Sequence, residues 1–161
     1  MKKAMTLCLV VADGKILLGM KKRGFGEGRW NGFGGKVAGG ETLVEAARRE
    51  LKEEVGIEAA ELWKVGLLDF SFESDDKLSL EVHVFMTHSY TGEIVESEEM
   101  RPGWFVFADI PYSEMWPDDV IWLPLVLEGK QVKGSFCFDA PASLTHVARS
   151  LSHEVHVVEG F

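Results

Sequence analysis

Three glutamates, Glu50, Glu53 and Glu54, stand at i, i+3 and i+4 in a stretch that reads as a helix. That spacing puts three carboxylates on one helix face, where like charges repel and weaken the helix. A hard divalent cation offsets such repulsion. Mg2+ suits the role because it takes oxygen ligands, accepts few protein carboxylates and completes its octahedron with water and substrate phosphates. The helix is well marked: Thr42 and Glu45 form a capping box, Gly56 is placed to end it, and Leu43, Ala46, Ala47 and Leu51 form an apolar stripe. Before it, residues 23–40 are rich in glycine and read as a loop whose backbone can approach a ligand closely. Arg49, inside the cluster, can orient a carboxylate with two parallel hydrogen bonds. A solvated acidic face would explain the glutamates alone. It does not explain why glycine, arginine and glutamate recur at set spacings from residue 35 to residue 57.

The rest of the chain is expected to form an α+β fold. Residues 4–12 and 15–20 read as two strands joined by an Asp13-Gly14 turn. The basic start followed by an apolar run faintly resembles a signal peptide, but cutting there would remove a strand the domain needs. Residues 62–72, 78–90 and 103–108 also read as strands, and 132–138 as the last one. Residues 118–127, after Pro117, read as a second helix. Residues 91–100 read as an acidic loop, and 139–161 carry no legible pattern. Strands outnumber helices, and no repeat or linker divides residues 1–161, so one domain is expected.

Charge narrows the partners. The chain has 17 Lys and Arg against 26 Asp and Glu, a net charge of -9. This excludes a nucleic-acid polymer as the main partner, because phosphate backbones need a basic face. A small anionic substrate would need a cation as mediator. Cys8 and Cys137 are the only cysteines, too few for a disulfide framework, so a reducing compartment is expected. No apolar run is long enough to span a bilayer. The cytoplasm is the expected location, with mitochondria and nucleus left open, and no membrane partner is expected.

The segment from Gly35 through Glu41, Arg49, Glu50, Leu51, Glu53, Glu54, Gly56 and Ile57 matches the G-x5-E-x7-R-E-U-x-E-E-x-G-U motif of the Nudix hydrolases. At average residue usage, its seven fixed residue types arise by chance on the order of once in 10⁸ positions. The resemblance implies an α/β/α sandwich built on a mixed β-sheet. It also implies Mg2+-dependent hydrolysis of a nucleoside diphosphate linked to another group, with Mn2+ as a substitute cofactor.

Outside the motif, the stretches 21–26, 30–36 and 115–119 are similar to the animal branch of this family that acts on oxidised purine nucleoside triphosphates. Phe33 stands where many relatives carry Pro, and Glu98 where Asp is expected. The similarity spans roughly residues 4–138 and weakens in the tail 139–161. It implies Glu50, Glu53, Glu54 and Arg49 as catalytic residues. It implies Gly34, through its carbonyl, and Glu99 as metal ligands beside Glu50, Glu53 and Glu54. It implies a substrate pocket of Thr6, Leu7, Lys21, Phe25, Asn31, Phe70, Trp116, Asp118 and Asp119.

These residue types suit such a pocket. Trp116 offers a wide face for stacking a purine, and Asn31 both a donor and an acceptor for its edge. Asp118 and Asp119 are adjacent acids that push each other's pKa apart, so one can donate a hydrogen bond while the other accepts. That would let one pocket take both oxidised guanine and oxidised adenine, and it leaves methylated purines open. Asp118 also stands where a helix cap is expected. The reaction implied is release of a monophosphate and pyrophosphate, with Glu54 or Glu50 as general base, by an enzyme expected to be a monomer. The motif itself leaves other diphosphates open, such as ADP-ribose or a dinucleoside polyphosphate. A non-catalytic nucleotide-binding module would usually lack some of the motif glutamates, and all four are present.

Overall fold

The computed structural model describes residues 2–161. Eleven strands and two helices follow one another as β1 (Lys3–Ala12), β2 (Lys15–Lys21), β3 (Trp30–Asn31), β4 (Phe33–Lys36), α1 (Leu43–Val55), β5 (Glu58–Ala59), β6 (Trp63–Phe72), β7 (Asp75–Thr87), β8 (Tyr90–Thr91), β9 (Met100–Val106), α2 (Asp119–Leu127), β10 (Gln131–Phe138) and β11 (Ser150–Val158). The main sheet runs β11-β10-β6-β7-β1-β2-β3, with β4 also on β1 and β9 on β2. β1 pairs parallel to β7 and β10 parallel to β6, while the other pairs are antiparallel. The sheet is therefore mixed, and the fold is α+β.

Alternation along β1 shows how the two faces divide. Leu9 and Val11 join α2 residues Trp122, Leu123 and Val126 in one core. Cys8 and Val10 join Leu51 and Val55 of α1 in the other. Successive side chains of a strand point to opposite faces, so each helix covers its own side. Thr42 Oγ1 accepts from the Glu45 backbone N–H at 3.1 Å, and Gly56 adopts the left-handed conformation at φ 79°. These are the start and stop expected from the sequence.

Two expectations are corrected. The glycine-rich stretch 23–40 is not all loop, because β3 and β4 lie within it. In β4 glycine is required by close packing: a Cβ at Gly34 would run into the Thr6 carbonyl of the paired strand. The strand β10 is not the last, because β11 pairs antiparallel along its whole length. β11 is mostly exposed, with little of the apolar alternation that marks a strand in sequence. Among the described residues, no helix is long and apolar enough to cross a membrane.

Candidate active site

β1 is shared between two antiparallel partners, its first half with β4 and its end with β2. Beside that first half lies a cavity of about 480 Å³, lined at one end by aromatic and aliphatic side chains and at the other by carboxylates. This volume suits a nucleotide-sized ligand.

The carboxylate end is built on α1. Glu50 approaches the backbone so closely that a Cβ on Gly35 would lie 2.6 Å from its Oε1. Arg49 braces the cluster. It donates from Nε and Nη2 to Glu41 at 2.7 and 3.0 Å, and from Nη1 to Glu50 at 3.0 Å and Glu53 at 3.2 Å. This two-pronged grip on Glu41 holds that carboxyl below its ordinary range, with the Ala38 N–H adding to the effect. Glu54 is buried behind the cavity wall, and its Oε1 accepts from the Gly34 N–H at 2.7 Å. Its Oε2 has no hydrogen-bond partner. Burial pushes Glu54 up to about 8 against the pull of Lys21, with the Glu50 and Glu99 charges adding to the rise. Burial likewise raises Glu50, against the opposing effect of Arg49. Lys21 lies 3.4 Å from Glu99 and ties the β9 side to this cluster.

The donor set is therefore rich in hard oxygen and crowded, its carboxylates sharing Arg49 and Lys21, with one buried oxygen left over. That chemistry fits a divalent cation. Among the described residues, no group of three or more His, Cys, Asp or Glu side chains is already arranged to hold a metal ion. Mg2+ sites commonly take much of their coordination from water and substrate phosphate instead.

The opposite end handles acids differently. Asp118 and Asp119 are 3% and 5% exposed at the start of α2, with no cation paired to either. Asp118 forms no side-chain cap; its Oδ2 accepts the Trp122 indole N–H at 2.7 Å. The cap expectation is thus replaced by a buried bond one helical turn along. Burial pushes Asp118 up to about 6, with the Trp122 bond pulling it back. Burial and the neighbouring Asp118 charge raise Asp119 further. Trp122 makes Asp118 the more acidic of the two, which leaves Asp119 as the one that keeps a proton. Asp119 Oδ2 and Thr6 Oγ1 are buried without partners. Both residues line the cavity.

Trp116 is 9% exposed, and Phe25, 47% exposed on the loop after β2, stacks on it with centroids 5.3 Å apart. One face of Trp116 is therefore already covered. Phe70 instead stacks on Phe136 and Phe138, which joins the pocket wall to the core of β10.

All the pocket residues expected from the sequence line this one cavity, together with Gly34, Glu50, Glu53 and Glu99. Glu54 and Arg49 do not line it; they stand behind it and hold those that do. The sequence reading missed Met5, Leu68, Leu80, Val82 and Trp122, whose apolar character is indistinguishable from ordinary core in sequence. It also missed a brace from the tail. Leu144 packs so closely on Gly28 that a Cβ there would meet it at 2.7 Å, and Arg29 Nη2 donates to the His146 carbonyl at 3.3 Å. The segment between β10 and β11 thereby supports the loop that carries Phe25.

Comparison with known proteins agrees with this architecture. A family model described as NUDIX domain matches residues 1–126. The chain is 54% identical over 136 residues to an oxidized purine nucleoside triphosphate hydrolase of Danio rerio, covering 84% of this chain and 86% of that one. It is 46% identical over 156 residues to the protein of the same description from Mus musculus, covering 97% and 96%. Its fold is similar to that of a MutT protein from Bacillus halodurans, with a TM-score of 0.82 at 24% identity over 95% of this chain and 97% of that chain.

Proposed function

The chain belongs to the NUDIX domain family, and from that premise we propose that it hydrolyses oxidised purine nucleoside triphosphates to monophosphate and pyrophosphate. The observation that carries this reading is the single cavity joining a buried Asp118–Asp119 pair to the carboxylate face of α1. One end can read a base and the other can manage phosphates. The similarity to the fish and mouse enzymes over most of the chain supports the same assignment.

In this reading the purine lies at the aromatic end, beside Trp116, Phe25 and Phe70. Asn31 offers both donor and acceptor, Asp119 donates and Asp118 accepts. Two carboxyl groups in different protonation states can serve base edges of opposite polarity, so oxidised guanine and oxidised adenine both fit. Methylated purines fall within the same reach. Thr6 and Leu7 line the base pocket, and Lys21 faces the sugar and phosphates.

Glu50, Glu53, Glu54 and Glu99, with the Gly34 carbonyl, would hold a divalent cation, Mg2+ by preference with Mn2+ as a substitute. Such a cation, when bound, neutralises phosphate charge and lowers the pKa of the attacking water. Arg49 keeps Glu50 and Glu53 oriented. Glu50 or Glu54, as the carboxylate, accepts the proton, and burial gives both a higher proton affinity than an ordinary carboxylate has. The net charge of -9 opposes long-range attraction of a triphosphate, so local neutralisation has to do that work. The role is removal of damaged purines from the nucleotide pool. Two free cysteines support a reducing compartment, the cytoplasm first, with the chain acting as a monomer.

The test is kcat/KM with Mg2+ for 8-oxo-dGTP, 2-hydroxy-dATP, O6-methyl-dGTP, dGTP and ADP-ribose, with products identified. Preference for the modified purines with release of pyrophosphate is expected. Faster turnover of ADP-ribose or unmodified dGTP would overturn the base-pocket reading while leaving the family chemistry in place.

A further inference from the structure

Outside the cavity, three side chains form a hydrogen-bonded line across β6 and β7. Lys64 Nζ lies 2.8 Å from His83 Nδ1, and His83 Nε2 lies 2.8 Å from Glu81 Oε1. The glutamate carboxylate can only accept, so Nε2 carries the hydrogen and Nδ1 turns its lone pair toward Lys64. His83 is 8% exposed, so its ring is held in place. Gln131 Nε2 donates to the Lys64 carbonyl at 3.2 Å and ties the lysine's strand to β10. None of Lys64, His83 or Glu81 lines the cavity described above.

The order is nucleophile, base and orienting acid, the arrangement that activates a side chain for attack on a carbonyl. The charged groups facing Lys64 are Glu81 from β7 and Lys133 from β10. The Phe161 ring lies over both amines, 5.2 Å from Lys64 and 5.9 Å from Lys133. That contact favours charge on the amine. Burial and the like charge of Lys133 work the other way, and the amine lies below its ordinary range despite the counter-pull of Glu81.

We propose that Lys64 is an acylation site, its amine attacking the carbonyl of an acyl thioester with His83 as the proton acceptor. The neutral amine forms the new C–N bond while the C–S bond breaks. The nitrogen's proton passes to His83 Nδ1, and the imidazolium so formed is stabilised by Glu81. The departing thiolate then takes that proton and leaves as the thiol. The products are an amide on Lys64, a free thiol and His83 restored. Amide formation removes the lysine charge, so the line from Glu81 to Lys64 ends on a neutral group.

The experiment incubates the full chain with the acetyl thioester of N-acetylcysteamine at pH 7.5 and maps acetylated peptides by mass spectrometry over time. The chain has eleven lysines, which gives ten internal references. Lys64 is expected to react at least about tenfold faster than their median, since a positioned base contributes roughly 10² to 10⁴ in rate, and its rate is expected to level off at lower pH than theirs. His83→Gln is expected to return Lys64 to the median, and Glu81→Gln to lower its rate by a smaller factor. Should His83→Gln lose its fold by circular dichroism, the Glu81→Gln rate decides the matter alone. Labelling of Lys64 at or below the median in the unaltered chain overturns the proposal. So does a Lys64 rate that the folded variants leave unchanged.

Discussion

Two clusters of acids stand at the same cavity and are handled in different ways. On α1, Glu50 and Glu53 share Arg49, Glu99 has Lys21, and only Glu54 is fully buried. At the start of α2, Asp118 and Asp119 are both buried, with an indole and no cation beside them. The first cluster keeps its charge where Arg49 and Lys21 reach it, holds a proton on buried Glu54, and gives that proton up only when positive charge arrives. The second cannot keep two negative charges and stores a proton instead. One residue class thus serves two tasks: phosphate chemistry where cations are near, and hydrogen-bond reading where they are not.

The strongest way to break this comparison is Glu50→Gln. It should lower kcat by roughly 10² to 10³ at saturating Mg2+, as loss of a charge-stabilising group does elsewhere. A variant with near-normal turnover would remove the α1 cluster from the chemistry. Asp119→Asn should cut kcat/KM for oxidised purines by about ten- to a hundredfold through one mispaired buried group. It should also flatten the pH dependence of base preference; unchanged preference across pH would show that the pair does not read the base.

A third effect is on stability. Glu54 is held at about 8 against an ordinary 4.5, so the stability it contributes is complete below about 4.5 and is lost as pH rises through about 8. Asp118, raised to about 6, acts in the same direction. In chelator the melting temperature should therefore fall from pH 5 to pH 8. Glu54→Gln should reduce that fall, and Mg2+ should reverse the Glu54 part alone. A flat melting temperature would contradict the burial of these acids. The smallest effect is expected at the tail brace. Leu144→Ala should raise KM for a purine triphosphate about threefold with kcat unchanged, since it touches the loop carrying Phe25 and no reacting group. A change in kcat alone would place the tail's influence elsewhere.

The two clusters also differ in how far sequence reveals them. The α1 cluster is local. Cap, stripe, terminating glycine and carboxylates all fall between Thr42 and Gly56, so helical spacing alone predicts the shared face. The α2 pair is visible as two adjacent aspartates, but its burial is not, because the cavity it lines is closed by residues of distant strands, such as Thr6 of β1 and Leu68 and Phe72 of β6. Spacing left Asp118 between a cap and a pocket residue, and only its bond to Trp122 decides against the cap. β3 and β4 were hidden by the glycines in β4 and on either side of β3, which signal a loop unless the strand they pack against is known. β11 was hidden by exposure, since an edge strand with polar residues on both faces carries no alternation to read.

The division of labour is tested most directly by one ratio, kcat/KM for 8-oxo-dGTP over kcat/KM for dGTP. It should be measured at fixed pH and Mg2+ in the unaltered chain, in Glu50→Gln and in Asp119→Asn. The ratio should survive Glu50→Gln although both rates fall together, and should collapse toward one in Asp119→Asn. A ratio that shifts with Glu50→Gln, or persists in Asp119→Asn, would contradict the assignment of phosphate chemistry to one acid cluster and base reading to the other.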